Sequence, residues 1–148
     1  MAFGAEVFVN WKPAMETKSD EPKKKHVLIV EDEVDLALSY KELLEAHGFS
    51  VHTAPTGVIA LKHILNKPVD AVICDLKLPQ LEGDMFYITV ERTKPQVCER
   101  FIFITGVADN PKFQPFINKM KGRVLLKPVG VEQLLQALND LLKSTSPS

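Results

Sequence analysis

Apolar residues in this chain fall into short dense runs separated by stretches with helical spacing. Residues 27–30, 69–74, 101–105 and 124–126 are apolar at nearly every position and rich in Val, Ile and Phe. Such runs suit strands covered on both faces, as in a parallel sheet. Residues 50–54 alternate instead, Val51 and Thr53 against His52, as an edge strand does. Between the runs the period changes. Residues 33–47 set Ala37, Tyr40 and Leu44 on one stripe, with Gly48 at a left-handed C-cap and Phe49 as the apolar contact beyond it. Thr56 caps a helix carrying Val58, Leu61, Ile64 and Leu65. Residues 84–94 make a third helix, stopped by Pro95. In residues 131–142, Val131, Leu134, Leu135, Leu138, Leu141 and Leu142 form a further apolar stripe. The weak member is 110–120. Asn110 and Pro111 suit a helix start, and Phe113, Phe116, Ile117 and Met120 share a face. Pro115 interrupts it, so that helix starts late, kinks, or reduces to a short turn and a loop.

Strand and helix thus alternate five times over residues 26–142. This predicts one α/β domain with a parallel sheet and right-handed crossovers. Residues 1–25 lack either period beyond Trp11 and are read as a flexible leader, oddly apolar at Phe3, Val7, Phe8, Val9 and Trp11. Residues 143–148 are read as a frayed tail. The 148 residues are 45% apolar and 25% charged, with a formal net charge of −1. That balance predicts no direct nucleic-acid contact, and no apolar stretch is long enough to insert in a membrane. Cys74 and Cys98 lack zinc-site spacing and are too few for a disulfide framework. The leader is not patterned as a signal peptide, and the cytoplasm is the expected compartment.

Ligands in an open parallel sheet collect outside the carboxyl ends of the strands. Here those ends carry Glu31, Asp32 and Glu33, then Asp75, then Thr105 and Gly106, then Lys127 and Pro128. Taken singly, each has an ordinary explanation: a helix cap, a turn residue, a β-branched strand residue, a strand-ending Lys-Pro. Jointly they put the three carboxylates of Glu31, Asp32 and Asp75 at one edge. Two unit charges at about 4 Å repel by roughly 4 kcal/mol at an effective dielectric of 20. Such a cluster needs cations. Lys127 is one, and an all-oxygen set with room for water and phosphate favours Mg²⁺ over zinc as the other. His26, His47, His52 and His63 fall at a strand start, a helix end, an edge strand and mid-helix. They are read as structural or surface residues, none placed for metal binding or proton transfer.

Four ordered stretches carry a resemblance: VLIVEDE from Val27, CDLKLPQLEG from Cys74, FITG from Phe103 and LLKP from Leu125. The sequence resembles the receiver domain of bacterial two-component response regulators, stand-alone or part of a hybrid histidine kinase. The resemblance implies a flavodoxin-like, doubly wound (βα)5 fold with strand order 2-1-3-4-5. It implies that Asp75 is the phosphoacceptor and that Asp32, Asp75 and the backbone carbonyl of Lys77 ligate Mg²⁺, with Glu31 acting through water. Thr105 and Lys127 would stabilise the phosphoryl group, and Pro79, Gly83 and Pro128 would shape the loops. The implied donor is a phosphohistidine on a sensor histidine kinase or phosphotransfer protein. Output would run by contact with a downstream protein, homodimerisation through the face of helix four, strand five and helix five being one option. Two departures stand out: Val124 replaces the usual aromatic, and Glu31 the more frequent Asp. Lys77 and Val107 are the variable positions beside the phosphate, and Val107 offers no group to orient water, which favours a long-lived phosphoryl state. The alternatives are a phosphorylation-independent interaction module with a vestigial acidic site, and a Mg²⁺-dependent phosphohydrolase. The latter lacks the second carboxylate such an enzyme wants, since position 77 is Lys.

Overall fold

Even- and odd-numbered residues of each apolar run face opposite ways, so a run apolar throughout must be covered twice. In the computed structural model, which describes residues 23–145, this is how the sheet is built. The order is β1 (His26–Val30), α1 (Val34–Ala46), β2 (Ser50–Ala54), α2 (Gly57–Asn66), β3 (Ala71–Asp75), α3 (Gly83–Thr93), a 3₁₀ turn (Pro95–Arg100), β4 (Phe101–Thr105), α4 (Gln114–Lys119), β5 (Val124–Leu126) and α5 (Val131–Ser144). All four strand pairings are parallel, in the order β2-β1-β3-β4-β5. This is the expected flavodoxin-like (βα)5 arrangement. Leu28, Val30, Val72, Cys74, Phe101 and Phe103 pack under α2, α3 and α4. Val27, Ile29, Ala71, Ile73, Ile102 and Ile104 pack under α1 and α5, against Tyr40, Leu44, Leu134 and Leu138.

Local signals behave as their chemistry demands. Gly48 takes φ +90°, and the Phe49 N–H returns to the Leu44 carbonyl at 3.0 Å, closing α1. The Thr56 hydroxyl accepts from the Ile59 N–H at 3.1 Å. The interrupted helix starts late: Pro115 falls in the first turn of a six-residue α4. Asn110 does not cap it, because its side chain accepts from the Lys112 N–H in the preceding turn. Three expectations need correction. Val58 and Leu65 are exposed, since α2 turns Gly57, Ala60 and Ile64 to the sheet. Val131 is exposed at the start of α5. Lys143 and Ser144 continue α5, where a frayed tail was expected. Of the leader, Lys23, Lys24 and Lys25 lead exposed into β1, and residues 1–22, like 146–148, lie outside the described residues.

Candidate functional site

Parallel register brings the ends of β1, β3, β4 and β5 to one edge, and with them the residues singled out from the sequence. Carboxylate oxygens of Glu31, Asp32 and Asp75 lie within 4.8 Å of one another. The Lys127 ammonium donates to Glu31 Oε1 at 2.8 Å and to Asp75 Oδ2 at 2.9 Å. Glu31 and Asp75 are buried, while Asp32 is exposed. The acidic run does not serve as a helix cap. Glu33 stands at the N-cap of α1 without a side-chain bond to it, and Glu31 Oε2 accepts from the Glu33 N–H at 3.1 Å. The carboxylates are turned towards one another instead. Their cleft, about 590 Å³, is lined by Asp32, Asp75, Lys77, Pro79, Gly106 and Lys127 among others.

Burial opposes ionisation here, and Lys127 opposes burial. Desolvation pushes the Asp75 carboxyl up, with the Lys127 contact partly offsetting it. Glu31 is raised for the same reason and by the nearby Asp75 charge, again against Lys127. Desolvation also works against the Lys127 charge, but the bonds from Glu31 and Asp75 outweigh it and hold the ammonium above its ordinary range. Three carboxylates against one ammonium leave two negative charges when all are ionised. Two oxygens bound to one octahedral Mg²⁺ at 2.0–2.1 Å lie about 3–4 Å apart. The acidic trio therefore fits a hard divalent ion with little movement, and the absence of sulfur or imidazole in the set argues against zinc.

The loop after β3 is held by close backbone approaches. A Cβ on Gly83 would lie 2.4 Å from the Asp75 carbonyl oxygen and 2.9 Å from Leu76 Cα, so only glycine fits. The Gly83 N–H donates to the Leu76 carbonyl at 2.8 Å, and Gln80 takes φ +68°. The exposed Lys77 offers its N–H to Asp75 Oδ1 at 3.4 Å. The Lys127–Pro128 peptide is cis. Thr105, at the end of β4, has its hydroxyl engaged outside the carboxylate cluster. It is fully buried, and its hydroxyl accepts from the Val107 N–H at 3.0 Å.

Sequence reasoning missed two features. Glu82 lines the cleft and pairs with Lys112, tying the β3–α3 loop to the β4–α4 loop. Nothing in the residue types pairs positions 30 apart. His26, His52 and His63, read singly as structural or surface residues, meet at the other edge of the sheet. Only the fold makes neighbours of a strand start, an edge strand and a helix.

The comparisons agree with this geometry. The description "Response regulator receiver domain" matches residues 27–139. The sensor kinase CckA of Brucella abortus (strain 2308) is 30% identical over 119 residues, which are 79% of this chain and 12% of that protein. The response regulator MprA of Mycobacterium sp. (strain KMS) is 31% identical over 132 residues, covering 82% of this chain and 52% of that protein. The chain thus spans between an eighth and about half of these curated relatives. Among solved structures, a CheY-like receiver domain protein from Methanospirillum hungatei JF-1 is 28% identical, with a TM-score of 0.74 over 82% of this chain and 95% of that one. The receiver domain of the sensor histidine kinase PA1611 from Pseudomonas aeruginosa PAO1 has a magnesium ion in its active-site cleft. At 21% identity, with a TM-score of 0.74 over 82% of this chain and all of that one, it speaks for the fold alone. With the strand order, the carboxyl-edge site and a family match over most of its length in agreement, this chain belongs to the response regulator receiver domain family, a family of signalling domains.

Proposed function

We propose that this chain is a phosphorelay receiver that accepts a phosphoryl group on Asp75 from a phosphohistidine, in a Mg²⁺-dependent way, and signals by protein contact in the cytoplasm. The observation that carries this reading is the Asp75 carboxylate. It opens to a cleft, is held 2.9 Å from Lys127, and has Glu31 and Asp32 beside it.

Phosphoryl transfer asks for positioning and charge neutralisation more than for acid–base groups. An Asp75 oxygen attacks phosphorus as the P–N bond of the donor breaks. The leaving imidazole keeps the bonding pair and takes a proton from solvent. An aspartyl acyl phosphate results. Asp32 and Asp75, with the Lys77 carbonyl and with Glu31 through water, are the residues to hold Mg²⁺. When bound, that ion neutralises charge on the phosphoryl oxygens. Lys127 moves from pairing two carboxylates to pairing the phosphoryl group. Pro79, Gly83 and Pro128 keep the surrounding loops in shape. The phosphoryl group makes the site more negative by roughly one unit, which calls for new donors. Thr105 is the donor we assign: its hydroxyl oxygen accepts from the Val107 N–H, and its own proton is free to turn towards the phosphoryl group.

The donor would be a sensor histidine kinase or a phosphotransfer protein. The test is incubation with acetyl phosphate and Mg²⁺, read by intact mass, with Asp75→Ala as control. A single phosphoryl adduct that needs Mg²⁺ and vanishes in the variant is expected. No adduct on the wild-type chain would leave an interaction module with a vestigial acidic site.

A further inference from the structure

At the amino-terminal edge of the sheet, opposite the acidic cleft, three imidazoles converge from three elements. His26 opens β1, His52 lies on β2 and His63 on α2. His26 Nε2 and His63 Nε2 are 2.8 Å apart. The His52 ring stacks on His63 at 4.2 Å between centroids and 11° between planes. Parallel register explains the meeting. His26 pairs with Ser50 and Leu28 with His52, so both histidines face the side of the sheet that α2 covers. Along β1, Glu31 lies five residues away, about 16 Å at the rise of a strand, so the two clusters are separate.

We infer that His26 and His63 form a two-nitrogen site for a late first-row divalent cation, copper(II) or nickel(II). Metal–imidazole bonds of about 2.0–2.1 Å to two nitrogens 2.8 Å apart subtend roughly 84–89° at the ion. That is the cis angle of a square-planar or tetragonal site, which suits Cu(II) and Ni(II). The ion takes the place of the hydrogen bond between the rings, each turning its lone pair towards it. The ring that donates in that bond carries its proton on Nε2; on binding, the proton is taken up at the same ring's Nδ1, so both Nε2 lone pairs face the ion and no net proton is lost. His26 Nδ1 already has a partner in Ser50 Oγ at 3.4 Å, the kind of second contact that fixes the tautomer of a ligating histidine. Asp70, whose Oδ2 accepts from the His26 N–H at 2.8 Å, adds a favourable charge, and Lys67 an unfavourable one. Both rings are neutral at pH 7. Burial lowers His26, and burial with the neighbouring imidazoles takes His63 down to about 4.

The chain is titrated with Cu²⁺ or Ni²⁺ in excess Mg²⁺ at about pH 7.5, where both imidazoles are unprotonated. Binding is followed by calorimetry and, for copper, by nitrogen coupling in the electron paramagnetic resonance spectrum. One ion per chain with imidazole nitrogens in its plane is expected. His26→Gln and His63→Gln, each checked for folding by circular dichroism, are expected to weaken binding by at least about tenfold, while His47→Gln leaves it unchanged. The inference is overturned if the wild-type chain binds no ion, if both glutamine variants bind as tightly as wild type, or if Asp75→Asn abolishes binding where they do not.

Discussion

Lys127 stands between two carboxylates that burial would keep protonated, and its removal separates packing from charge. Lys127→Met keeps most of the aliphatic stem and leaves Glu31 and Asp75 without a cation. Breaking a buried pair costs about 3–5 kcal/mol, but the Lys127 side chain retains 20% exposure and the carboxylates can protonate. A loss of about 1–3 kcal/mol is therefore expected in urea unfolding without Mg²⁺, most of it recovered at saturating Mg²⁺. Equal losses with and without the ion would mean that Lys127 acts through packing. His63 gives a pH dependence of known sign. Burial and the neighbouring imidazoles hold its folded pKa at about 4, below the ordinary 6.5, so the unfolded chain binds the proton more tightly. The neutral ring's contribution is present above pH 6.5 and is lost as pH falls towards 4. Wild-type Tm should accordingly drop further between these limits than that of His63→Gln; parallel profiles would remove the imidazole cluster as the cause. At this scale Asp75 and Lys127 were legible in the sequence because strand ends in a parallel sheet share an edge. The direction of the Thr105 hydroxyl was not, since a sequence gives a position and not a rotamer.

Glycines that look alike in the sequence divide at the scale of elements. At Gly83 a Cβ would strike the backbone of Asp75 and Leu76, whereas at Gly130 it would meet nothing within 4 Å. Gly83→Ala is expected to destabilise by about 1–3 kcal/mol through overpacking and to displace the start of α3 from the end of β3. Gly130→Ala, at a φ of −70° that any residue adopts but at the N-cap of α5, where alanine is less favoured than glycine, is expected to change stability by less than about 1 kcal/mol. Urea midpoints of the two variants decide it; similar losses would mean that the close approach at Gly83 relaxes. The strands and the long helices were readable because their periods are unambiguous over many residues. α4 was not, because Phe113, Phe116 and Met120 are buried as the stripe requires while Pro115 denies the helix its first half. Six residues supply few internal hydrogen bonds, so the amides of α4 should exchange faster than those of α5. Equal protection would show that burial of the three side chains suffices to hold it.

Across the whole molecule β4 lies between the cleft and the elements α4 and β5, and under the proposed function Thr105 at its end would couple the two. Its carbonyl accepts from the Lys127 N–H at 2.9 Å, and its hydroxyl accepts from the Val107 N–H, at the root of the loop leading to α4. Behind it, Phe103 packs edge-on to Phe116 of α4 and pairs in register with Val124 of β5. The parallel α/β class was legible from alternation and the strand order from the family resemblance, but this coupling depends on which side chain fills which gap. Val124, where the family usually has an aromatic, leaves no ring to swing between two positions. A relay under the proposed function would then rest on the hydroxyl and the loop. If phosphoryl oxygens draw the hydroxyl inward, the Val107 N–H loses its acceptor, and residues 106–113 must find a new arrangement. Backbone NMR with Mg²⁺ and beryllofluoride, a phosphoryl mimic, should therefore show shifts at Asp75 and Lys127 and, beyond them, at Val107, α4 and β5. Thr105→Val removes the mobile hydroxyl while keeping the branched shape. It should retain the shifts at Asp75 and lose those at α4 and β5. Shifts confined to the cleft in the wild-type chain, or reaching α4 undiminished in the variant, would break the link between Thr105 and the distal face.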